Sequence, residues 1–372
     1  MRALWDTTEP GAGHDTTVSV LSRRARCSRW VQRWAVALAA KARYSRIRMT
    51  RAIRFARTGG PEVLELEEIS LPEPKAGEAL VRHRAIGVNF IDTYHRSGLY
   101  SVPLPSGLGS EAAGVVEQVG PGVTTVRVGE RVAYATAGVP AAYSEARVLA
   151  ADRLVPLPDD ISDEVAAAVL LKGMTAEFLI HRTFPVQPGQ TVLFHAAAGG
   201  VGSIACQWLN ALGAHVIGTV GSDAKTDFAR KHGCHDVLVT GAGKFAGRVR
   251  ELTSGRGVPV VFDSIGKATF LESLDCLEPR GMLVSFGNAS GKPEPLDIAL
   301  LAQKGSLYVT RPTLFSYAAT REALLSSASS LFQAIRDGLK IEIGQRFPLA
   351  KAGDAHRALE SRGTVGSTLL TV

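Results

Sequence analysis

From residue 49 to about residue 149, apolar positions fall in short alternating or continuous runs rather than at helical spacing. Residues 49–53 read as an opening strand, and 78–88, 114–119, 131–134 and 144–149 as further strands. Gly and Pro recur densely between them, in Gly59-Gly60-Pro61, Pro72-Glu73-Pro74 and Gly120-Pro121-Gly122. Such punctuation supplies the turns that short strands need, so this part of the chain predicts a compact β-rich region. Pro156-Leu157-Pro158 closes it. From Ser162 to about Arg182 the pattern turns helical, with Asp163 and Glu164 in the first turn, where negative charge complements the helix dipole.

Beyond Pro188-Gly189 the texture becomes strand and helix in alternation. Strand patterns at 191–195, 215–219, 236–239, 259–262 and 282–286 are separated by helical patterns at 201–212, 223–232, 244–253 and 267–274. This alternation predicts a parallel sheet with crossover helices. A further strand is expected at 306–310, then an amphipathic helix at 320–337. The mixed pattern of 341–347, 350–360 and 367–370 is expected to rejoin the first region. No apolar run reaches membrane-spanning length; the one at 34–40 is closed off by Lys41 and Arg43.

Charge changes the picture at one end only. Of 42 Lys and Arg, ten lie in residues 1–48, against three of the 35 acidic residues, which leaves 32 of each sign in the remainder. The net charge of +7 therefore belongs to the N-terminal stretch. The balanced body argues against a nucleic-acid or anionic-membrane partner. Arg-rich and acid-poor, residues 21–48 fit an organelle-targeting presequence or a basic surface helix; translation starting at Met49 is the plainer alternative. The 372 residues, 45% hydrophobic and 21% charged, suit two globular domains. The four cysteines (Cys27, Cys206, Cys234, Cys276) form no CxxC pair, which fits a reducing, cytoplasmic compartment and provides no structural zinc site. Cys206 and Cys276 are expected as buried fillers.

The stretch LFHAAAGGVG at 193–202 joins a strand pattern to a helix pattern through small residues. Its spacing, Ala197-x-Gly199-x-x-Gly202, puts alanine where a dinucleotide fingerprint has its first glycine. Small side chains let backbone approach a pyrophosphate, and free N–H groups at the helix start hold it. An ordinary strand-to-helix turn would read the same way in isolation.

Several motifs in order carry a family resemblance: Gly87-Val88-Asn89-Phe90-Ile91-Asp92, Arg96-Ser97-Gly98-Leu99-Tyr100, Gly109-Ser110-Glu111-Ala112-Ala113-Gly114, Lys172-Gly173-Met174-Thr175, residues 195–202 and Phe286-Gly287-Asn288. Through them residues 49–372 resemble the zinc-free quinone oxidoreductases, zeta-crystallin-like, of the medium-chain dehydrogenase/reductase superfamily. The resemblance implies an α/β protein with a GroES-like β-rich catalytic domain plus a Rossmann doubly wound parallel-sheet domain. The implied division is 1–48 as an extension outside the fold, 49–170 as the catalytic domain, 171–310 as the NADP-binding domain and 311–372 as a return to the first. Where the superfamily's zinc alcohol dehydrogenases have cysteine and histidine ligands, this chain has Asn89 and Ser110. An amide and a hydroxyl are poor zinc ligands, so the site is read as metal-free. The histidines, His83 and His95 included, lack ligand spacing and are expected at the surface or as satisfied core residues.

NAD-binding folds place an acid roughly 20 residues beyond the glycines to accept the ribose hydroxyls. Here that region reads Gly218-Thr219-Val220-Gly221-Ser222, and Ser222 and Lys225 offer a hydroxyl and a cation suited to a 2′-phosphate. A helix N-cap serine followed by a solvated lysine is the structural alternative. The resemblance assigns NADPH to the turn Ala198, Gly199, Gly200 and Val201, and to Gly221, Ser222, Lys225 and Arg362. It puts Thr240 where relatives have a tyrosine beside the phosphate.

Asn89, Phe90, Tyr94 and Thr175 line the nicotinamide end by the same resemblance, with Thr175 expected at the start of a cleft-side helix. Phe286, Gly287 and Asn288 close over that end, and Tyr100 borders the acceptor. Read singly, the tyrosines also fit core aromatics, and Asn89 and Asn288 fit turn formers. Glu111 fits an acid or base, or an internal pair that holds its loop. Three functions remain open: reduction of a quinone by NADPH, reduction of an α,β-unsaturated aldehyde or ketone, and a non-enzymatic NADPH-binding or RNA-binding role. The partners implied are a small quinone or enone acceptor and, by resemblance, a second copy pairing along residues 307–310.

Overall fold

The computed structural model describes residues 48–135, 140–240 and 244–372. The readings made for the basic N-terminal stretch and Cys27 lie outside the described residues. The first strands are β1 (Arg48–Phe55), β2 (Glu65–Leu71), β3 (Glu78–Val88), β4 (Ser106–Gly107), β5 (Glu111–Val119), β6 (Arg131–Ala135), β7 (Ala146–Ala150) and β8 (Val155–Pro156). β1 stands between β2 and β4 in a three-stranded sheet. β3 pairs antiparallel with both β5 and β7, and β5 continues to β6 and β8. Gly114 in β5 permits this pairing, since a Cβ there would overlap the backbone of Arg82.

Several elements were not legible from the hydrophobic pattern, among them β2 and the helix that follows β3. Helix α1 (Phe90–Ser97) leaves β3 directly, with Asn89 as its N-cap. The Asp92 carboxylate reaches back to the Asn89 backbone N–H at 2.9 Å, half of a capping box. Gly98, at φ +82°, ends the helix in the left-handed region.

Helix α2 (Asp163–Phe178) is apolar on all sides because it is enclosed on all sides. It packs against β3, β5 and β6, and also against helices α3 (Gly200–Ala211) and α9 (Arg321–Arg336). Ser162 caps its start by accepting from the Val165 N–H at 3.2 Å. A π-turn, Leu179–Thr183, extends it.

Strands β9 (Thr191–Phe194), β10 (His215–Val220), β11 (Asp236–Val239), β12 (Val258–Asp263), β13 (Leu277–Ser285) and β14 (Tyr308–Thr310) form an all-parallel sheet in the order β11-β10-β9-β12-β13-β14. In order of appearance that is 3-2-1-4-5-6, the doubly wound order, with its switch point between β9 and β12. The expected helix at 223–232 is divided into a 3₁₀ turn, Asp223–Lys225, and α4 (Thr226–Lys231). The remaining helices are α5 (Ala246–Leu252), α6 (Phe270–Asp275), α7 (Ala299–Gln303), α8 (Leu314–Tyr317) and α10 (Ala352–Glu360).

The end of the chain crosses back. β15 (Ile343–Pro348) pairs with β16 (Ser367–Thr371), and β16 lies antiparallel to β3 with Leu369 opposite Gly87. That register brings the segment before β16 beside the β3–α1 junction, where Asn89 stands. Cys206 and Cys276 are fully buried free thiols.

Candidate functional site

At the switch point, β9 runs into the turn at 195–199 and then α3. The left-handed backbone position of the turn is Ala196 (φ +53°), one residue before the place assigned to the missing glycine. Gly202 is required by contact, since a Cβ there would lie 2.8 Å from Ala197 Cα. Gly199 is the N-cap of α3, and no side chain caps the helix, so its first N–H groups remain available to an anion. A Cβ on Gly200 would lie 2.8 Å from Lys172 Cδ. By contrast, a Cβ on Gly221 would meet nothing within 4 Å, so this glycine leaves room instead of closing a contact.

These residues open onto a cleft of about 1380 Å³. Asn89, Phe90, Tyr94, Tyr100 and Thr175 line it together with Ala198, Gly199, Gly200 and Val201. Gly221, Ser222, Lys225, Thr240, Phe286, Gly287 and Arg362 line it as well. Asn288 stands behind this surface, where its backbone N–H donates to the Tyr94 hydroxyl at 3.0 Å. The Tyr94 and Tyr100 rings meet edge to face at 5.2 Å. Burial pushes the Tyr94 phenol up to about 12. Thr175 lies toward the C-terminal end of α2, not at its start, and donates its hydroxyl proton to Leu171 O at 2.7 Å.

Asn89 is fixed by a carboxylate. Its Nδ2 donates to Glu111 Oε2 at 2.9 Å, and the same oxygen accepts from Lys172 Nζ at 3.1 Å. Glu111 Oε1 accepts from the Leu171 N–H at 2.6 Å. Glu111 is wholly buried, and three donors occupy its carboxylate, which pairs internally. Behind Asn89, the buried Asp92 accepts from Tyr143 OH at 3.0 Å through Oδ2, while its Oδ1 has no partner. Burial raises its carboxyl to about 7. His83 is a satisfied core residue between Ser144 O and Tyr134 OH. His95 differs: it lines the cleft, and its buried Nδ1 has no partner.

The C-terminal segment is joined to the cofactor-side turns at two places. Gly366 forms a bridge with Gly199, and its N–H donates to Ala198 O at 3.2 Å. Lys225 Nζ donates to the carbonyls of Arg362 at 2.5 Å and Thr364 at 2.7 Å. Lys225 is therefore not the freely solvated lysine of the structural alternative; its ammonium holds a backbone loop. Partial burial lowers its pKa.

Sequence reasoning missed three cations of the cleft, Lys172, Lys244 and Arg311. Arg311 Nη1 donates to Gly287 O at 3.0 Å, and Nη2 to Tyr100 OH at 2.9 Å. With the Asn288 amide oxygen facing the donors, it accepts from Tyr100 OH and Arg311 Nη2, both at 3.2 Å. Nothing in the pattern Thr310-Arg311-Pro312 pointed to this role.

The Alcohol dehydrogenase GroES-like domain family matches residues 75–159, and the Zinc-binding dehydrogenase family matches 200–329. A quinone oxidoreductase of Pseudomonas aeruginosa is 56% identical over 324 residues, covering 87% of this chain and 99% of that protein. The chain belongs to the quinone oxidoreductase family. Its GroES-like and Rossmann domains are those of the medium-chain dehydrogenase/reductase superfamily. A crystal structure of Escherichia coli quinone oxidoreductase complexed with NADPH has 48% identity and a TM-score of 0.85, covering 87% of this chain and all of that one. A 2-haloacrylate reductase of Burkholderia is 45% identical, over 87% of this chain and 99% of that protein. Among the described residues of this family member, no three His, Cys, Asp or Glu side chains are grouped to hold a metal ion. No described helix is long and apolar enough to cross a membrane.

Proposed function

We propose that this chain reduces a quinone with NADPH by metal-free hydride transfer in the cleft. The observation that carries this reading is the pairing of two walls. An uncapped helix start at Gly199 faces a cleft whose other wall presents Asn89, held by Glu111. NADPH, when bound, supplies the hydride; the protein's task is to bind, orient and exclude water.

The residues present fit that cofactor. Ala198, Gly200 and Val201 bring backbone N–H groups to the pyrophosphate, and Gly199, whose own N–H donates to Ala196 O at 2.9 Å, keeps the approach clear of a side chain. The Lys225 ammonium has three N–H groups; two hold carbonyls and one is left for the 2′-phosphate, with Ser222 and Arg362 beside it. Gly221 leaves space there, and Thr240 offers a hydroxyl in place of the family's tyrosine. Phe90, Phe286 and Gly287 bound the nicotinamide end, with Asn288 behind them. Thr175, having donated its proton to the helix, presents oxygen lone pairs to it.

A quinone accepts hydride readily because the resulting anion is delocalised, so neither a Lewis acid nor a strong general acid is obligatory. Asn89 Nδ2 is committed to Glu111, which leaves Oδ1 as the group it can turn to the cleft. Tyr94 accepts from Asn288 through oxygen, so its proton remains free to be donated. With its pKa near 12, that phenol stays protonated across the ordinary pH range. Reduction of conjugated carbonyls is the second reading, supported by the likeness to the 2-haloacrylate reductase. The same account has two copies pairing along the edge strand β14, where Tyr308 is exposed.

The test is a single-turnover experiment: NADPH is bound to the full chain, and one equivalent of a quinone is added. Oxidation of one equivalent of NADPH is expected. Tight binding of NADPH with no oxidation by any quinone would leave only the binding role.

A further inference from the structure

We propose that Arg311 forms an anion-binding subsite at the acceptor end of the cleft, which takes an anionic oxygen of the acceptor. This rests on the functional reading above for which end of the cleft holds the acceptor. The guanidinium is held from both walls: by Gly287 O and Ser285 Oγ on the Rossmann side, and by Tyr100 OH on the other. Each of these partners is neutral. No carboxylate among the described residues pairs with Arg311, and its side chain remains exposed to the cleft.

The rest of the cleft sharpens the contrast. Of the other described Lys and Arg lining the cleft, Lys172 is neutralised by Glu111 and Lys225 holds two carbonyls, while Lys244 and Arg362 come from the segments next to Thr240 and Lys225, on the side of the cleft read as the cofactor's. Glu272 is the one carboxylate among the described lining residues, and its Oε1 accepts from the N–H groups of Phe245 and Ala246. Arg311 is thus a fixed positive charge with no countercharge, next to a phenol on which it donates. A rigid, pre-oriented cation of this kind stabilises negative oxygen without reorganisation. Two sources share that chemistry: a carboxylate carried by the acceptor, or the oxyanion formed on a carbonyl oxygen as the acceptor takes up hydride.

The experiment uses the full chain saturated with NADP⁺ and titrates benzoate and its neutral isostere benzamide by calorimetry. Benzoate should bind about tenfold more tightly than benzamide, a difference that Arg311→Gln abolishes. Equal binding of the two probes, or a preference that survives Arg311→Gln, would overturn the proposal. If Arg311→Gln does not fold, Arg311→Lys carries the test, since a point charge without the planar fork must weaken the preference; an unchanged one overturns it. Turnover of a naphthoquinone with and without a carboxylate substituent separates the sources. A rise in KM confined to the carboxylate form identifies the substituent, and a fall in kcat on the neutral form identifies the oxyanion. No change in either overturns the subsite. Wild-type enzyme that prefers benzoate yet reduces no quinone would remove the functional reading and leave the subsite standing.

Discussion

Asn89 Nδ2 lies 2.9 Å from Glu111 Oε2, and through that oxygen the amide shares a carboxylate with the buried Lys172 ammonium. A buried side chain that lines the cleft is thereby positioned by an ion pair inside the protein. Such pairs are costly to break because the surviving partner keeps its charge away from water.

Glu111→Gln tests this arrangement. It retains the shape but leaves Lys172 without a countercharge, so unfolding free energy should fall by about 3–5 kcal/mol. Denaturant midpoints at a common pH measure it. A loss under about 1 kcal/mol would show that Lys172 finds another partner or water.

Lys225→Met should weaken NADPH binding by roughly 10–100-fold, the worth of a charge-assisted hydrogen bond, and NADH binding by less. Some loss for NADH is expected too, because the substitution also releases the carbonyls of Arg362 and Thr364. Equilibrium titration of both nucleotides reads the ratio. Equal losses would make Lys225 purely a loop anchor.

Asp92 predicts a pH dependence of stability. Its folded-state pKa, about 7, lies above the usual carboxyl value of 3.8, chiefly through burial. Between those values the folded protein holds a proton that the unfolded chain has released, so stability falls as pH rises from about 4 to 7. Buried His83 and His356, lowered to about 4 and 3, contribute the opposite slope below about 6.5. The difference between wild type and Asp92→Asn isolates the carboxyl: the variant should gain relative stability as pH rises. Parallel curves would contradict the assignment.

The parts legible in the sequence were those whose signal is local. The turn at 195–202 announces itself by small residues between a strand and a helix, and the β12–β13 alternation by its apolar runs. Helix α1 was not legible: it is eight residues long and rich in aromatic residues, and its start depends on Asp92 capping Asn89. Lys172 stood in the sequence only as the first residue of the motif Lys172-Gly173-Met174-Thr175; its partner Glu111 is 61 positions away. Arg311 carried no role in the sequence, because its work is done by contacts to Gly287 and Tyr100 that only the folded chain provides. Lys225 was found by its position beyond the glycines, while its hold on the C-terminal segment lay 137 residues off and out of view.

Metal-free quinone reduction is decided by NADPH consumption by the full chain with a quinone, followed through the reduced cofactor's own absorbance, with and without a strong metal chelator. Turnover is expected that the chelator leaves unchanged, faster with NADPH than with NADH, and reduced in Asn89→Ala. Turnover abolished by chelator and restored by zinc, or no quinone-dependent oxidation from enzyme that binds NADPH, would contradict it.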